Sequence, residues 1–411
     1  MAVKGVTITM SDNVNDQEPS EIRSSQHNRA RQRMEARRKR RQARDTMARR
    51  VQQVQNSSDR RPMQVPPILQ NLARVRIPGG RWLLLIPLSV VLLAGVVIAI
   101  GSLNPRERIE TVNGIWLNRD WTYNTRADVE LIQLSSNLRT HNIHMVYAYV
   151  SSLKEDYTWS GDPQQLNRYS EIESDVRLFV QRLRQVHEQG DIFAWVEVRA
   201  DTPAGYRLDD PLLHNTVAEF SRNTIENLGY DGVFLDVKPV FTDNEDYLTL
   251  LRVVRAALGV NTPIAVSVPP DFTPTNAELT VPIQIAPDTV WSDEYKQRVA
   301  LQADQVIITA YNSHRSDPTD YANWVAYQLS SYAAALSEID TGSQVFLSLP
   351  DYSDNPPAHL AIVENVDTAL DGVLRAREAL GDNVLLDGLA LFSDGDISEQ
   401  TWRTFRERWV R

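Results

Sequence analysis

The chain has no cysteine among its 411 residues. Disulfides, zinc–thiolate centres and thiol chemistry are therefore excluded, while any compartment stays open on redox grounds. No Gly-rich phosphate fingerprint follows any of its hydrophobic β-runs, so nothing supports a nucleotide fold. His141, His144, His314 and His359 stand at spacings that suit no metal, and no metal or other cofactor is expected. The basic stretch near the N-terminus contains no aromatic residue on which a base could stack, which speaks against nucleic acid as a partner.

What is present is unevenly distributed. A hydrophobic content of 42% is ample for one large domain with appendages. The formal net charge is −10, yet the first 82 residues hold 18 Lys/Arg against 7 Asp/Glu, so the remainder carries −21. Between the two lies Trp82–Ile100, WLLLIPLSVVLLAGVVIAI, 19 residues without a charge. That length crosses a bilayer, and Pro87 is tolerated in a membrane helix. The run begins too far from the N-terminus for a cleaved signal peptide. Arginines on its N-terminal side place that side in the cytoplasm. The expected organisation is a basic cytoplasmic tail and linker over 1–81, a transmembrane helix over 82–103 and an extracytoplasmic domain over 104–411. The tail, disordered or helical, contains ARRKRRQARDTMARR, a segment suited to anionic lipid at the membrane surface. The acidic remainder disfavours polyanions.

From Glu110 onward, strand patterns alternate with helical ones. The strands are expected at Gly114–Leu117, Ile143–Val150, Ile192–Val198, Gly232–Val237, Ile264–Val268, Gln305–Tyr311, Val345–Leu349 and Gly388–Phe392. Between them, apolar residues at a 3/4 spacing mark helices: Val176, Phe179, Val180, Leu183 and Val186; Leu213, Val217, Phe220 and Leu228; Tyr247, Leu250, Leu251, Val254 and Leu258. Eight such units in some 300 residues predict a (β/α)8 TIM barrel. A doubly wound open sheet is the alternative.

The most informative stretch is Tyr230–Val240, YDGVFLDVKPV. Alternate residues of a strand share a face, so Phe234, Asp236 and Lys238 project together. Lys238 lies at the C-terminal end, where a parallel barrel opens its mouth. The stretch resembles the family-18 glycoside hydrolase (chitinase) signature Asp-Gly-x-Asp-x-Asp-x-Glu. Asp231, Gly232 and Asp236 match it, whereas Phe234 and Lys238 depart from it. IITAYN resembles that family's sixth-strand segment, in which a Tyr and an Asp or Asn contact the N-acetyl group, and Tyr311 and Asn312 match the pair. SLPDYSD is similar to a Gly-x-Pro-x-Tyr turn with Ser348 in place of the glycine. LALFSDGD lacks the Trp that floors the sugar site in the chitinases.

The resemblance implies a barrel that handles N-acetylated polysaccharide, with Asp236 steering the substrate's N-acetyl oxygen and position 238 supplying the proton. Retaining glycosidases need a protonated carboxyl for the leaving oxygen, and lysine titrates some six units above glutamate. An ion pair between Lys238 and Asp236 that fills the site is expected instead. Asp231, Tyr311, Asn312, Trp116, Glu197 and Asp351 are the candidate substrate contacts, with Trp195 a further ring. Glu197, Asp351 and Asp394, at strand C-termini, are the carboxylates available to a relocated acid. Three functions remain open: a membrane-anchored, carbohydrate-binding pseudoenzyme; an active glycosidase with a relocated acid; and a structural or interaction domain without a sugar ligand.

Overall fold

The computed structural model describes residues 112–162, 168–271, 290–352, 355, 358–381, 384–393 and 395–410. The expected basic tail, linker and transmembrane segment lie outside these residues, as does Asp394. Among the described residues no helix is long and apolar enough to cross a membrane.

Eight strands close into a barrel: β1 (Asn113–Leu117), β2 (Ile143–Leu153), β3 (Asp191–Arg199), β4 (Gly232–Lys238), β5 (Ile264–Val268), β6 (Gln305–Ile308), β7 (Gln344–Asp351) and β8 (Gly388–Ser393). Every neighbouring pair is parallel, and β1 pairs with both β2 and β8. That closure rules out the open-sheet alternative. The helices α1 (Asp128–Thr140), α2 (Tyr169–Val186), α3 (Pro211–Glu226), α4 (Glu245–Leu258), α5 (Asp293–Ala300), α6 (Pro318–Ser337), α7 (Val366–Leu380) and α8 (Glu399–Phe405) follow the strands one by one. Their starts are written in the sequence. The side chains of Asp210, Asn244, Ser292, Asp317, Asn365 and Ser398 accept from the first free amides of α3 to α8, with Pro211 and Pro318 in the first turns of α3 and α6.

The strands read as nearly continuous apolar runs because both faces are buried. Outward residues such as Ile192, Ala194, Val196 and Val198 of β3 pack beneath the helices. Inward, each strand supplies one residue to a single plug: Trp116, Tyr147, Phe193, Phe234, Ala265, Ile307, Phe346 and Ala390. Small residues on β5 and β8 make room for the large rings of β1 to β4, so the barrel is filled rather than hollow. Phe234, one of the departures from the family-18 signature, is part of this plug, with its ring edge-on to Trp116 at 5.6 Å. Gly232 is needed for close approach: a Cβ there would lie 2.6 Å from the Phe193 ring and 2.8 Å from the carbonyl of Pro263.

One strand end differs from expectation. β6 stops at Ile308 rather than Tyr311. Beyond it, the Thr309 amide donates to Val268 and that of Ala310 to the Ser348 hydroxyl, and Asn312 turns to φ +55°. The chain thereby leaves the ladder with Tyr311 raised over the mouth.

Candidate functional site

At the C-terminal end of β4, Asp236 is only 7% exposed. Its Oδ1 accepts from Ser267 Oγ on β5 at 2.8 Å and faces Lys238 Nζ at 2.8 Å. The expected ion pair is therefore present. Lys238 Nζ also donates to the Tyr311 hydroxyl at 3.1 Å. Desolvation works against the ammonium, but the Asp236 carboxylate and the Tyr311 hydroxyl outweigh it and hold Lys238 above the usual lysine range. About half of the lysine side chain, 49%, stays exposed at the rim. Burial likewise raises the Tyr311 hydroxyl, a shift that the nearby Lys238 charge opposes.

Tyr311 stacks on Phe392 of β8, ring centroids 4.5 Å apart and planes within 11°. Phe392 in turn meets Trp116 edge-on at 5.8 Å. An aromatic ring thus stands on the strand that lacks the floor tryptophan. Asn312 Oδ1 accepts from the Tyr352 hydroxyl at 3.3 Å and contacts His359 Nδ1 at 2.8 Å. Behind it, Glu364 is fully buried (0% exposed). Its Oε1 accepts from the Ser313 amide at 2.7 Å and from the Ser313 hydroxyl, while the amides of Asn312 and His314 also reach the carboxyl. Asn312 and His314 both have φ near +55°, a costly conformation for residues other than glycine. This ring of amides holds it in place.

The other candidates are dispersed. Glu197, half-buried on β3, is in register with Asp236, and its Oε2 accepts from the Tyr149 hydroxyl at 3.4 Å. Burial, and then the Asp236 charge, raise its carboxyl above the ordinary range, against the pull of Lys238. Trp195 is beside it, edge-on to Tyr149 at 5.1 Å. Trp116 is 5% exposed, within the plug. Asp351 is on the rim, where it accepts from the Ser398 amide at 2.9 Å and the Thr401 hydroxyl at 2.7 Å and so secures the start of α8. Asp231 precedes β4 at the opposite end, roughly 16 Å of strand from Asp236. There it accepts from the Ile192 amide at 2.8 Å and pairs with Arg184 at 2.6 Å. The structure thus brings together Asp236, Lys238, Tyr311 and Glu197, sets the Asn312 side chain against Tyr352 and His359, and leaves Asp231 apart.

Ser267, Tyr149, Phe392 and Glu364 escaped the sequence reading. The first three had a signal, since each lies at an alternate, inward position of its strand, two residues beyond a plug residue. A cavity of ≈380 Å³ lies between α1 and α8 and includes Trp121, Val129 and Trp402 in its lining. It contains none of the convergent ionisable groups of the mouth. A cleft of ≈280 Å³ opens at the mouth itself, beside β1, β2 and β3.

Sequence comparison with protein families and with curated proteins finds no match. The fold is similar to solved structures at low identity. One is the spore cortex-lytic enzyme SleL of Bacillus cereus, at 12% identity over 73% of this chain and 74% of that one, with a TM-score of 0.47. Others are a class V chitinase from Pseudomonas fluorescens (12%, 72% and 99%, 0.45) and a family-18 chitinase from Cycas revoluta in complex with (GlcNAc)4 (12%, 73% and 99%, 0.44).

The buried Glu364 gives a stability prediction. Burial lifts its carboxyl from 4.5 to about 7 despite the amides around it. The folded state then holds the proton more tightly than the unfolded chain does. The contribution of Glu364 to stability is fully present below pH 4.5 and is lost as pH rises through 7. By that shift the loss attributable to this group is about 3 kcal/mol. Urea unfolding of wild type and Glu364→Gln at pH 4.5, 6 and 8 checks this. The wild type is expected to lose stability relative to the variant over that range, and parallel curves would contradict it.

Proposed function

We propose that the barrel binds N-acetylated polysaccharide without hydrolysing it efficiently. The observation that carries this reading is the contact of Lys238 Nζ with Asp236 and Tyr311. In the resemblance, position 238 belongs to the proton donor and Asp236 and Tyr311 to the groups that orient the N-acetyl. An ammonium held above the ordinary lysine range does not protonate a glycosidic oxygen at neutral pH. Asp236, Tyr311, Asn312 and the Phe392 ring remain as polar and stacking groups for a sugar. With a chromogenic N-acetylglucosaminide, the wild type is expected to show turnover close to background, and robust turnover lost in Lys238→Ala would overturn the reading.

A second reading, hydrolysis with Glu197 as the relocated acid, has one observation in its favour: burial and Asp236 raise that carboxyl, as a general acid requires. It predicts wild-type turnover that Glu197→Gln abolishes and Lys238→Ala leaves in place.

Localisation belongs to the same proposal. The charge-free run at 82–100 and the arginines before it support a single-pass anchor with the barrel outside the cell membrane and the basic tail inside against anionic lipid. The ligand is then an envelope or extracellular polysaccharide. Protease added to intact cells should cut the barrel loops and spare an N-terminal tag; the reverse pattern would invert the topology.

A further inference from the structure

The foot of the barrel, at the opposite end from the mouth, holds a titratable group that no hydrogen bond accounts for. His187 ends α2, in the turn that leads into β3, and is 3% exposed. Among the described residues neither Nδ1 nor Nε2 of its ring has a hydrogen-bond partner. Gly190 makes room for the ring: a Cβ there would lie 2.6 Å from Nε2 and 3.1 Å from the His144 carbonyl. The turn is otherwise well secured. The carbonyl of Val186 accepts from Ser135 Oγ at 2.5 Å and from Arg139 Nη1 at 3.1 Å, which ties it to α1, and the His187 amide donates to Leu183 at 2.8 Å. The surrounding charges offer an imidazolium nothing. Arg139 of α1 and His144 of β2 act on the ring, and both oppose a positive charge there. Glu188 on the turn and Asp191 at the start of β3 are exposed, and Arg184 of α2 is engaged by Asp231 and the Gly229 carbonyl.

A neutral imidazole stands there at the cost of one unmet N–H donor. An imidazolium would bury an unpaired charge beside Arg139, which costs far more. We propose that the turn joining α2 to β3 is an acid-operated latch, closed around neutral His187 and opened when the ring is protonated. Desolvation, with Arg139 and His144 behind it, pushes the imidazole below the ordinary histidine range, in keeping with this. The closed turn then takes up a proton less readily than the opened one. Its contribution to stability is complete above the ordinary value of about 6.5 and falls as pH drops below it. What opening releases is the start of β3. The Ile192 amide, held by Asp231 Oδ2 at 2.8 Å, lies just beyond the turn. The same strand carries Glu197 to the mouth, in register with Asp236, so the loosened strand is one that builds the candidate site. This holds whether or not the mouth binds sugar.

Hydrogen exchange of the purified full-length chain, read by mass spectrometry and corrected for the intrinsic pH dependence of amide exchange, tests the latch. Exchange across residues 183–199 is expected to rise about tenfold between pH 7.5 and 5.5, the growth in open population that a histidine of ordinary pKa in the opened turn produces. Residues 245–258 of α4, apart from the turn, should not follow. His187→Leu, close in volume and unable to take a proton, should abolish the rise. It should also raise the thermal midpoint at pH 5.5 by about 3 °C over wild type and leave it near wild type at pH 7.5. An ordinary core substitution lowers the midpoint at both. The Glu364 contribution is common to both proteins and cancels in the comparison. Should His187→Leu not fold, His187→Gln, polar and untitratable, must show the same loss of the pH response. A flat wild-type profile from pH 7.5 to 5.5 would overturn the latch, and so would a rise that persists in a folded variant.

Discussion

Lys238→Glu is expected to raise glycosidase activity above the wild-type rate. The Nζ that it removes lies 2.8 Å from Asp236 Oδ1 and 3.1 Å from the Tyr311 hydroxyl. A carboxyl at position 238 would therefore stand within charge range of Asp236. Two like charges so close keep one of the pair protonated, which is what a proton donor requires. Positioned acid catalysis contributes on the order of 10²- to 10⁴-fold. A gain of about tenfold to a hundredfold over the wild-type rate is expected here, since Phe234 and Phe392 also depart from the family-18 pattern. Asp236→Ala in the Lys238→Glu background should abolish the gain. No gain in a well-folded Lys238→Glu protein would mean that Lys238 is not what silences the site.

A second large effect is expected where the chain leaves β5. Lys296 is buried and its Nζ contacts Asp271 Oδ2, Asp293 Oδ1 at 2.9 Å and Ser331 Oγ at 3.4 Å, above the ring of Tyr332 at 4.9 Å. The Gln328 amide clamps Asp271 through both its backbone amide and its carbonyl. Lys296→Met leaves the Asp271 carboxylate buried without its cation, a change that costs about 3–5 kcal/mol. The double variant Lys296→Met, Asp271→Asn should recover much of that loss, because an apolar or neutral replacement of a whole buried pair is often tolerated. Urea unfolding of the three proteins decides the matter. A loss below about 1 kcal/mol in the single variant would show that the pair adds little here.

The barrel was legible because strand and helix periods are local. Ile264–Val268 was read without error, and the stripe from Val176 to Val186 marks the C-terminal half of α2. The pairing of Lys238 with Asp236 was also legible, as two residues on one strand must share a face. The rest was not, for physical reasons. Asp231 matches a signature, but a strand of seven residues separates the two ends of a barrel, and the match carries no information on which end it serves. Trp116 reads equally as a sugar platform or a filler until the rings of neighbouring strands are known. Glu364 meets the loop that presents Tyr311 and Asn312 across 51 residues of sequence, a contact with no local trace. The shortening of β6 depends likewise on Ser348, which takes the Ala310 amide out of the ladder.

The most direct test is to hold the wild-type full-length chain with an N-acetylglucosamine tetrasaccharide, measure binding by calorimetry and recover the sugar for mass spectrometry. Saturable binding with the tetrasaccharide recovered uncut is the expected result. Shorter products accumulating with time would contradict the claim that Lys238 has replaced catalysis with binding, and so would the absence of any binding.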